Sequence, residues 1–474
     1  MPHAVTRLLV AVAGLAIATS PLAAQITPPP PGPAAAGPTG APPRRPPQLP
    51  SVAKTTYAPG LLIAGGHRGD SSESAAIRGG TVTDSYADGL AIRSARNNLN
   101  AVLVRDGSTY TLSNATIDLS GGGTDDFVGL GAGAMVTKGT LVLRKVRITT
   151  SGVISPAVVA TEGGTLRVYD SDFRVKGGPL PADYKPKIGA GMMQPPAALK
   201  LGGTSRASLT MNGSESFFYN SRIVADGWGA LSTDFAGGYT YLEANNCDIQ
   251  VLGAGYGTYA DFGATVAIND SRMSAGSWDG IIAGAARLRL NNVTGRSDGG
   301  AVMIHSVGPQ AQQEVGVLRI TGGSFTTKDA GVLVKSSNAD IIIDRASFAP
   351  ANGVILQSVV NDDPMATKVA GATVPGIKAV LIDATLAGDI NHDDPDRAMS
   401  VALSGTTLRG AIRNVRLSLD GASRWTATRD SSVTLADGAD ASRLDAVAGA
   451  TITVRGLTGT DRNLAGGGRL VYRS

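Results

Sequence analysis

The chain has 474 residues, 42 basic and 38 acidic side chains for a formal charge of only +4, 62 glycines and one cysteine. Scattered charge without a basic patch or an RNP-like motif argues against a nucleic-acid binder, and the lone Cys247 rules out an internal disulfide. Aromatics make up 5% of the chain, Val, Ile, Leu and Thr are plentiful, and runs of helix formers are scarce, which describes an all-β protein with many tight turns.

Arg7 precedes an apolar run from Leu8 to Ala18, and small residues follow at Ala23 and Ala24. These are the charged start, short apolar core and cleavage site of a signal peptide over residues 1–24. The run is too short to span a bilayer, so no stable membrane span is expected after its removal. The mature chain is expected in the periplasm, at the cell surface or secreted. Residues 25–50 include PPPPGPAAAGPTGAPPRRPP, a composition that gives an extended, solvated linker.

Residues 51–410 carry a repeated four-residue phrase: a turn-tolerant residue, two small or polar ones, then a large apolar one. Asn114-Ala-Thr-Ile117, Asp170-Ser-Asp-Phe173, Asn220-Ser-Arg-Ile223, Asn246-Cys-Asp-Ile249 and Asp270-Ser-Arg-Met273 are clear copies. Gly322-Gly-Ser-Phe325, Asp383-Ala-Thr-Leu386 and Gly405-Thr-Thr-Leu408 continue the series. Weaker copies begin at Lys145 and Arg345, and at Asn292 a glycine, Gly295, replaces the apolar residue. From Asn220 the spacings are 26, 24, 22, 30, 23, 38 and 22 residues, the period of a solenoid. Apolar residues alternate before each phrase, as in Leu288-Arg-Leu290, which marks strands with one face inward. A second apolar strand follows a glycine after each phrase. About three short strands per coil predict a right-handed parallel β-helix of about ten or eleven coils. The Asn or Asp is expected to turn the chain in left-handed geometry, with its side chain bonding the backbone of the neighbouring coil. Excursions at 177–198 and 361–376, and at His392 to Asp396, interrupt the period. In a solenoid such insertions gather on one side, often the binding face.

On these repeats, residues 75–410 resemble the pectate-lyase-like superfamily, which includes polysaccharide lyases, polygalacturonases, mannuronan epimerases and phage tailspikes. Residues 411–474 form the expected final coils and cap. Within them Leu417, Gly421, Ala422, Trp425, Ser432, Val433 and Leu435 resemble the last coils of pertactin-like autotransporter passenger domains, with Trp425 expected to cap the apolar column. The sequence to Ser474 carries no membrane β-barrel segment, so self-anchoring by that route is not expected.

Three histidines follow the leader, His67, His305 and His392. No HExxH, CxxC, GxSxG or GxxxxGK[ST] pattern appears. The densest group of unusual residues spans consecutive coils from 226 to 306. It holds Trp228, Asp234, Tyr256, Tyr259, Asp261, Trp278, Asp279 and His305, with Lys335 at a similar place further along. Aromatic rings stack on sugar rings, and carboxylates grip hydroxyls. A lyase needs a base for the proton α to a uronate carboxyl and a cation for the developing charge. Tyr256, Tyr259, His305 or Lys335 can be that base. Asp234 and Asp261 can hold calcium or act as the paired carboxylates of a hydrolase; no other cofactor is implied. Trp228, Trp278, Tyr259 and Asp279, with Tyr184 and Lys185 from the 177–198 loop, are the candidate substrate-binding residues. The expected partner is a polysaccharide or cell-surface glycan, as lyase or hydrolase substrate. The competing expectation is a non-catalytic, adhesin-like surface.

Overall fold

The computed structural model describes residues 51–234, 239–305, 314–363 and 375–473. The expected leader at 1–24, the linker at 25–50 and most of the excursion at 361–376 lie outside them. Within these residues the four-residue phrase is the corner of each turn. Its first residue adopts left-handed backbone, with φ of +50° at Asn114 and Asn220, +51° at Asn246 and +48° at Asp270. Even the weak copies led by Lys145 and Arg345 do so, at +53° and +51°. Asn and Asp tolerate this region best among residues with a Cβ, which is why they lead most copies.

One turn shows the plan: a first strip Arg206–Met211, a second strip Glu215–Tyr219 and a third strip Arg222–Ala225. Each pairs in parallel with its equivalent one turn later, at Trp228–Asp234, Tyr241–Asn245 and Asp248–Val251. The chain is therefore a parallel β-helix. Its third strips build an eleven-stranded sheet, parallel from Ala91–Ser94 to Ser347–Pro350, and a four-stranded sheet from Thr385–Ala387 to Leu444–Ala446 continues beyond it. No described helix is long and apolar enough to cross a membrane.

The apolar residue closing each phrase points inward and stacks on its equivalents. Ile223, Ile249 and Met273 are in register and buried, as are Phe325 and Phe348 further along. Each such burial stabilises by about 1.5–3 kcal/mol. Trp425 lies in the same column, between Leu408 and Leu444, and its Nε1 donates to the Gly410 carbonyl at 2.8 Å. It is an interior layer with a further turn beyond it.

The corner side chains depart from expectation. Asn246 Nδ2 donates to Asn220 Oδ1 at 2.9 Å, and Asn292 Nδ2 to Asp270 Oδ1 at 2.8 Å. The corner residue bonds its counterpart's side chain because its own N–H already serves the backbone, Asn246 N–H donating to the Asn269 carbonyl at 3.1 Å. Side chain to backbone bonding falls one residue later: Ser271 Oγ accepts the Cys247 N–H at 3.0 Å.

A second apolar layer lies outside the first strips. Leu103, Met135, Val159 and Leu209 stack in register there, under Val52, Phe127, Val128 and Met192 from flanking segments. This outer layer positions the candidate site.

Candidate functional site

Strand alternation sends every second residue of the first strips outward. One outward column runs Leu209, Ser232, Tyr259, Ile281, Met303 and Leu333. Beside it, three residues earlier on each strand and past a break in the pairing, runs a column of Arg206, Gly229, Tyr256, Trp278 and Gly300. Its glycines make room for the large rings. A Cβ on Gly229 would stand 2.0 Å from the Tyr256 ring, and one on Gly300 2.4 Å from the Trp278 ring. A third column holds Ala283, His305 and Lys335. Residues far apart in sequence thus share one outer face.

Arg206 anchors this face. Its guanidinium is buried between Asp126, with Nη2 to Oδ2 at 3.0 Å, and Asp234. It also lies over the rings of Trp228, at 4.7 Å from the centroid, and Phe127, at 5.1 Å. Burial alone would discharge the arginine; the two carboxylates outweigh it and hold the charge. Burial pushes the Asp126 carboxyl up to about 6, against the pull of Arg206. Asp126 reaches the site from a short loop helix, Asp126–Val128, whose N-cap Asp125 accepts the Phe127 N–H at 3.0 Å. The Gly191 N–H of the long excursion also bonds Asp125, so the two covering segments are tied together.

Tyr256 is buried, and its hydroxyl meets Ser232 Oγ at 2.9 Å. Burial, opposed by Arg206, takes its phenol up to about 12. Tyr259 is half-buried on the adjacent column, its ring 5.2 Å from that of Tyr256 and 6.4 Å from the imidazole of His305. Burial, then the charges of Asp261 and Asp234, hold its phenol well above the ordinary value. Asp261 follows the same strand, and its N–H donates to Thr233 Oγ1 at 2.9 Å. Lys335, the register neighbour of His305, is paired through Nζ with Asp362. Lys200 at the end of the long excursion reaches the other oxygen of Asp362 at 3.6 Å. Tyr259, His305 and Lys335 therefore line one stretch of the outer face: a proton-bearing phenol, an imidazole and an ammonium.

Trp228 and Tyr184 are engaged within the fold. Trp228, with φ of +58°, is buried over Arg206. The Tyr184 hydroxyl accepts the Met193 N–H at 2.9 Å inside its own loop, while Lys185 is exposed there. Asp279 does not share the outer face with Trp278. It is fully buried toward the interior, beside Gly295 and Phe325. Strand alternation separates these two neighbours: Trp278 stacks outside, and the next residue points in. Asp234 directs a carboxylate oxygen to Arg206, so the cation nearest the proposed calcium pair is a guanidinium. Among the described residues no three His, Cys, Asp or Glu side chains converge on a possible metal position.

Sequence reasoning passed over Asp126 and Arg206, the best buried charges of the site. The signals were present. Two acids sit in the glycine-rich stretch GGGTDDFVGLG, and an arginine opens the otherwise uncharged strand Arg206–Met211. No protein-family model matches the chain, and no curated protein or solved structure matches it either.

Proposed function

We propose that the chain is an exported β-helix of the pectate-lyase-like kind that cleaves an acidic polysaccharide by β-elimination at Tyr259, His305 and Lys335. The observation that carries this reading is the Tyr259–His305 contact, ring centroids 6.4 Å apart, beside the register neighbour Lys335. The His305 imidazole takes the proton α to a uronate carboxyl. The released electron pair forms a carbon–carbon double bond and expels the glycosidic oxygen, which takes the Tyr259 proton; the imidazolium then returns a proton to the phenolate. Lys335 offsets charge on the uronate carboxylate. Burial keeps the Tyr259 phenol protonated at neutral pH, so it enters the reaction as the proton donor and not as the base. Hydrolysis is supported less well. It requires two carboxylates for acid and nucleophile or base, and Asp234 is already committed to Arg206.

The test is a screen of purified protein on polygalacturonate, alginate and other uronate polymers, following ultraviolet absorbance of the unsaturated product. Absorbance that grows with time supports elimination. New reducing ends without absorbance replace it with hydrolysis. Neither signal on any uronate polymer ends the enzymatic reading and leaves the non-catalytic surface.

A further inference from the structure

The outer face of the second strips carries a feature that the cleavage chemistry does not use. Five of the chain's 11 tyrosines and 8 phenylalanines gather there: Tyr169, Phe217, Tyr219, Tyr239 and Tyr241. Tyr169 and Tyr219 are register partners, with parallel rings at 5.0 Å. Phe217 lies 5.8 Å from Tyr241, and Tyr241 lies parallel to Tyr239 at 6.3 Å. An outward strand position on a solenoid is ordinarily polar, because it faces water. Here even a phenylalanine occupies one, half-exposed.

We infer that this aromatic platform is a second, non-catalytic binding surface for an acidic polysaccharide strand. Cross-turn ring pairs stabilise a sheet, which accounts for Tyr169 on Tyr219. It does not account for Tyr239, which is 63% exposed and lies outside any strand. The parallel arrangement of Tyr239 and Tyr241 offers a broad apolar surface to the C–H face of a sugar. The phenol of Tyr241 is held by Glu243, which also accepts the Asn245 side chain at 2.8 Å, so the ring is fixed before any ligand arrives.

Charge selects the occupant. Arg144 lies over Tyr169 at 4.4 Å, and Arg167 over Phe217 at 4.8 Å. Beyond the aromatic rows, the column through Glu243 continues to Ala267, Arg289 and Arg319, the two arginines exposed. Guanidinium groups thus lie on both sides of the rings, the column from Arg167 to Arg319 spanning roughly 24 Å at about 4.8 Å per turn, while the carboxylates among the rings, Glu215 and Glu243, are engaged by the Tyr239 and Tyr241 phenols. Planar guanidinium pairs with carboxylate through two parallel hydrogen bonds, so a uronate chain can stack on the rings and place its carboxylates at either end. The ligand class rests on the function proposed above; the surface is separate from the reacting residues.

Affinity electrophoresis through gels holding polygalacturonate or alginate, with dextran as the neutral control, tests this surface. The wild-type chain is expected to be retarded by a uronate gel and not by dextran. Tyr239→Ala alone, at an exposed position, should weaken retention severalfold with an unchanged thermal midpoint. Tyr169→Ser with Tyr219→Ser should weaken it tenfold or more. Arg144→Gln with Arg167→Gln should weaken retention and flatten its salt dependence. Cleavage of short soluble uronate oligomers should be the same in all these variants. Retention that depends on the platform without cleavage upholds this surface and removes the lyase reading. Cleavage with retention indifferent to every variant does the reverse. Equal retardation by dextran, or variants that change only the sedimentation of the chain on itself, overturns the acidic-glycan surface.

Discussion

The carboxyl of Asp279 occupies the space that a side chain on Gly295 would need. A Cβ on Gly295 would stand 2.4 Å from Asp279 Oδ2 and 2.5 Å from a ring carbon of Phe325. This explains the broken phrase at Asn292. In the other turns an apolar side chain of the third strip fills the layer; here a residue of the first strip and a phenylalanine from the next turn fill it instead. Gly295→Ala should therefore destabilise the fold by about 1–3 kcal/mol, the usual cost of overpacking. Adding Asp279→Ala should restore part of the loss and leave the part due to Phe325. Denaturant midpoints of the two single variants and the double variant form the measurement, and purely additive losses would contradict the shared space.

The same carboxyl makes stability depend on pH. Burial holds Asp279 well above the ordinary carboxylate value, with only the Arg296 backbone N–H to offset it. In the unfolded chain the group releases its proton near its usual pKa of about 3.9; in the folded chain it keeps it. The folded state then binds more protons, so stability is greatest below that pH and falls as pH rises toward the folded pKa. Each unit of separation costs about 1.4 kcal/mol. Asp126, at about 6, and Glu314, at about 7, shift in the same direction, and Glu314 is still half protonated at neutrality. Between about pH 4 and neutrality the thermal midpoint should fall further in the wild type than in Asp279→Asn, which keeps only the declines due to the other raised carboxyls. Parallel profiles would assign the decline elsewhere.

Arg206 joins the loop at Asp126 to the strand at Asp234, and its removal should cost more than the loss of either carboxylate. Arg206→Met leaves the buried Asp126 without its cation, a change of about 3–5 kcal/mol. Asp126→Asn keeps the shape, leaves Asp234 as the counter-ion and should cost distinctly less. The Trp228 ring loses its cation in the first variant and not in the second, so tryptophan fluorescence should change only in the first. Equal losses in the two variants would contradict the view that a buried charge is being compensated.

The repeat was legible because the corner is a local event. Left-handed backbone at Asn220, Asn246 and Asp270 selects the residue type directly, and strand alternation follows from period two. Even Lys145 and Arg345 were found, because the surrounding phrase outweighed their poor fit to that backbone. The outer face was partly legible: the segments at Trp228, Tyr256, Trp278 and His305 were grouped by coil position, and the stacked strips do bring them together. What failed was direction. Asp279 and Trp278 are adjacent yet lie on opposite faces, and a reading uncertain by one residue cannot tell which faces out. Arg206 and Asp126 were missed because their pairing spans 80 positions in sequence and depends on how a loop folds over a sheet, which no local pattern encodes.

In the proposed elimination, two tyrosines on adjacent columns have different parts. Tyr256 is buried and its hydroxyl is engaged by Ser232, whereas Tyr259 is half-buried, with its ring against His305. Tyr256→Phe removes the hydroxyl's buried bonds to Ser232 and Arg206 and should lower stability by about 0.5–1.5 kcal/mol for each, with turnover on a uronate polymer retained. Tyr259→Phe keeps the ring and its packing but removes the proton donor. It should lower turnover by about a hundredfold or more, the scale of general acid catalysis, with little change in stability. His305→Gln should match it in turnover, because base and acid act in one elimination. The readouts are initial rates of ultraviolet absorbance for the three variants, each beside its own thermal midpoint. If Tyr256→Phe proves the inactive variant while Tyr259→Phe retains full rate, the reactive stretch lies deeper, under the covering loops at Arg206, and the assignment to Tyr259 falls.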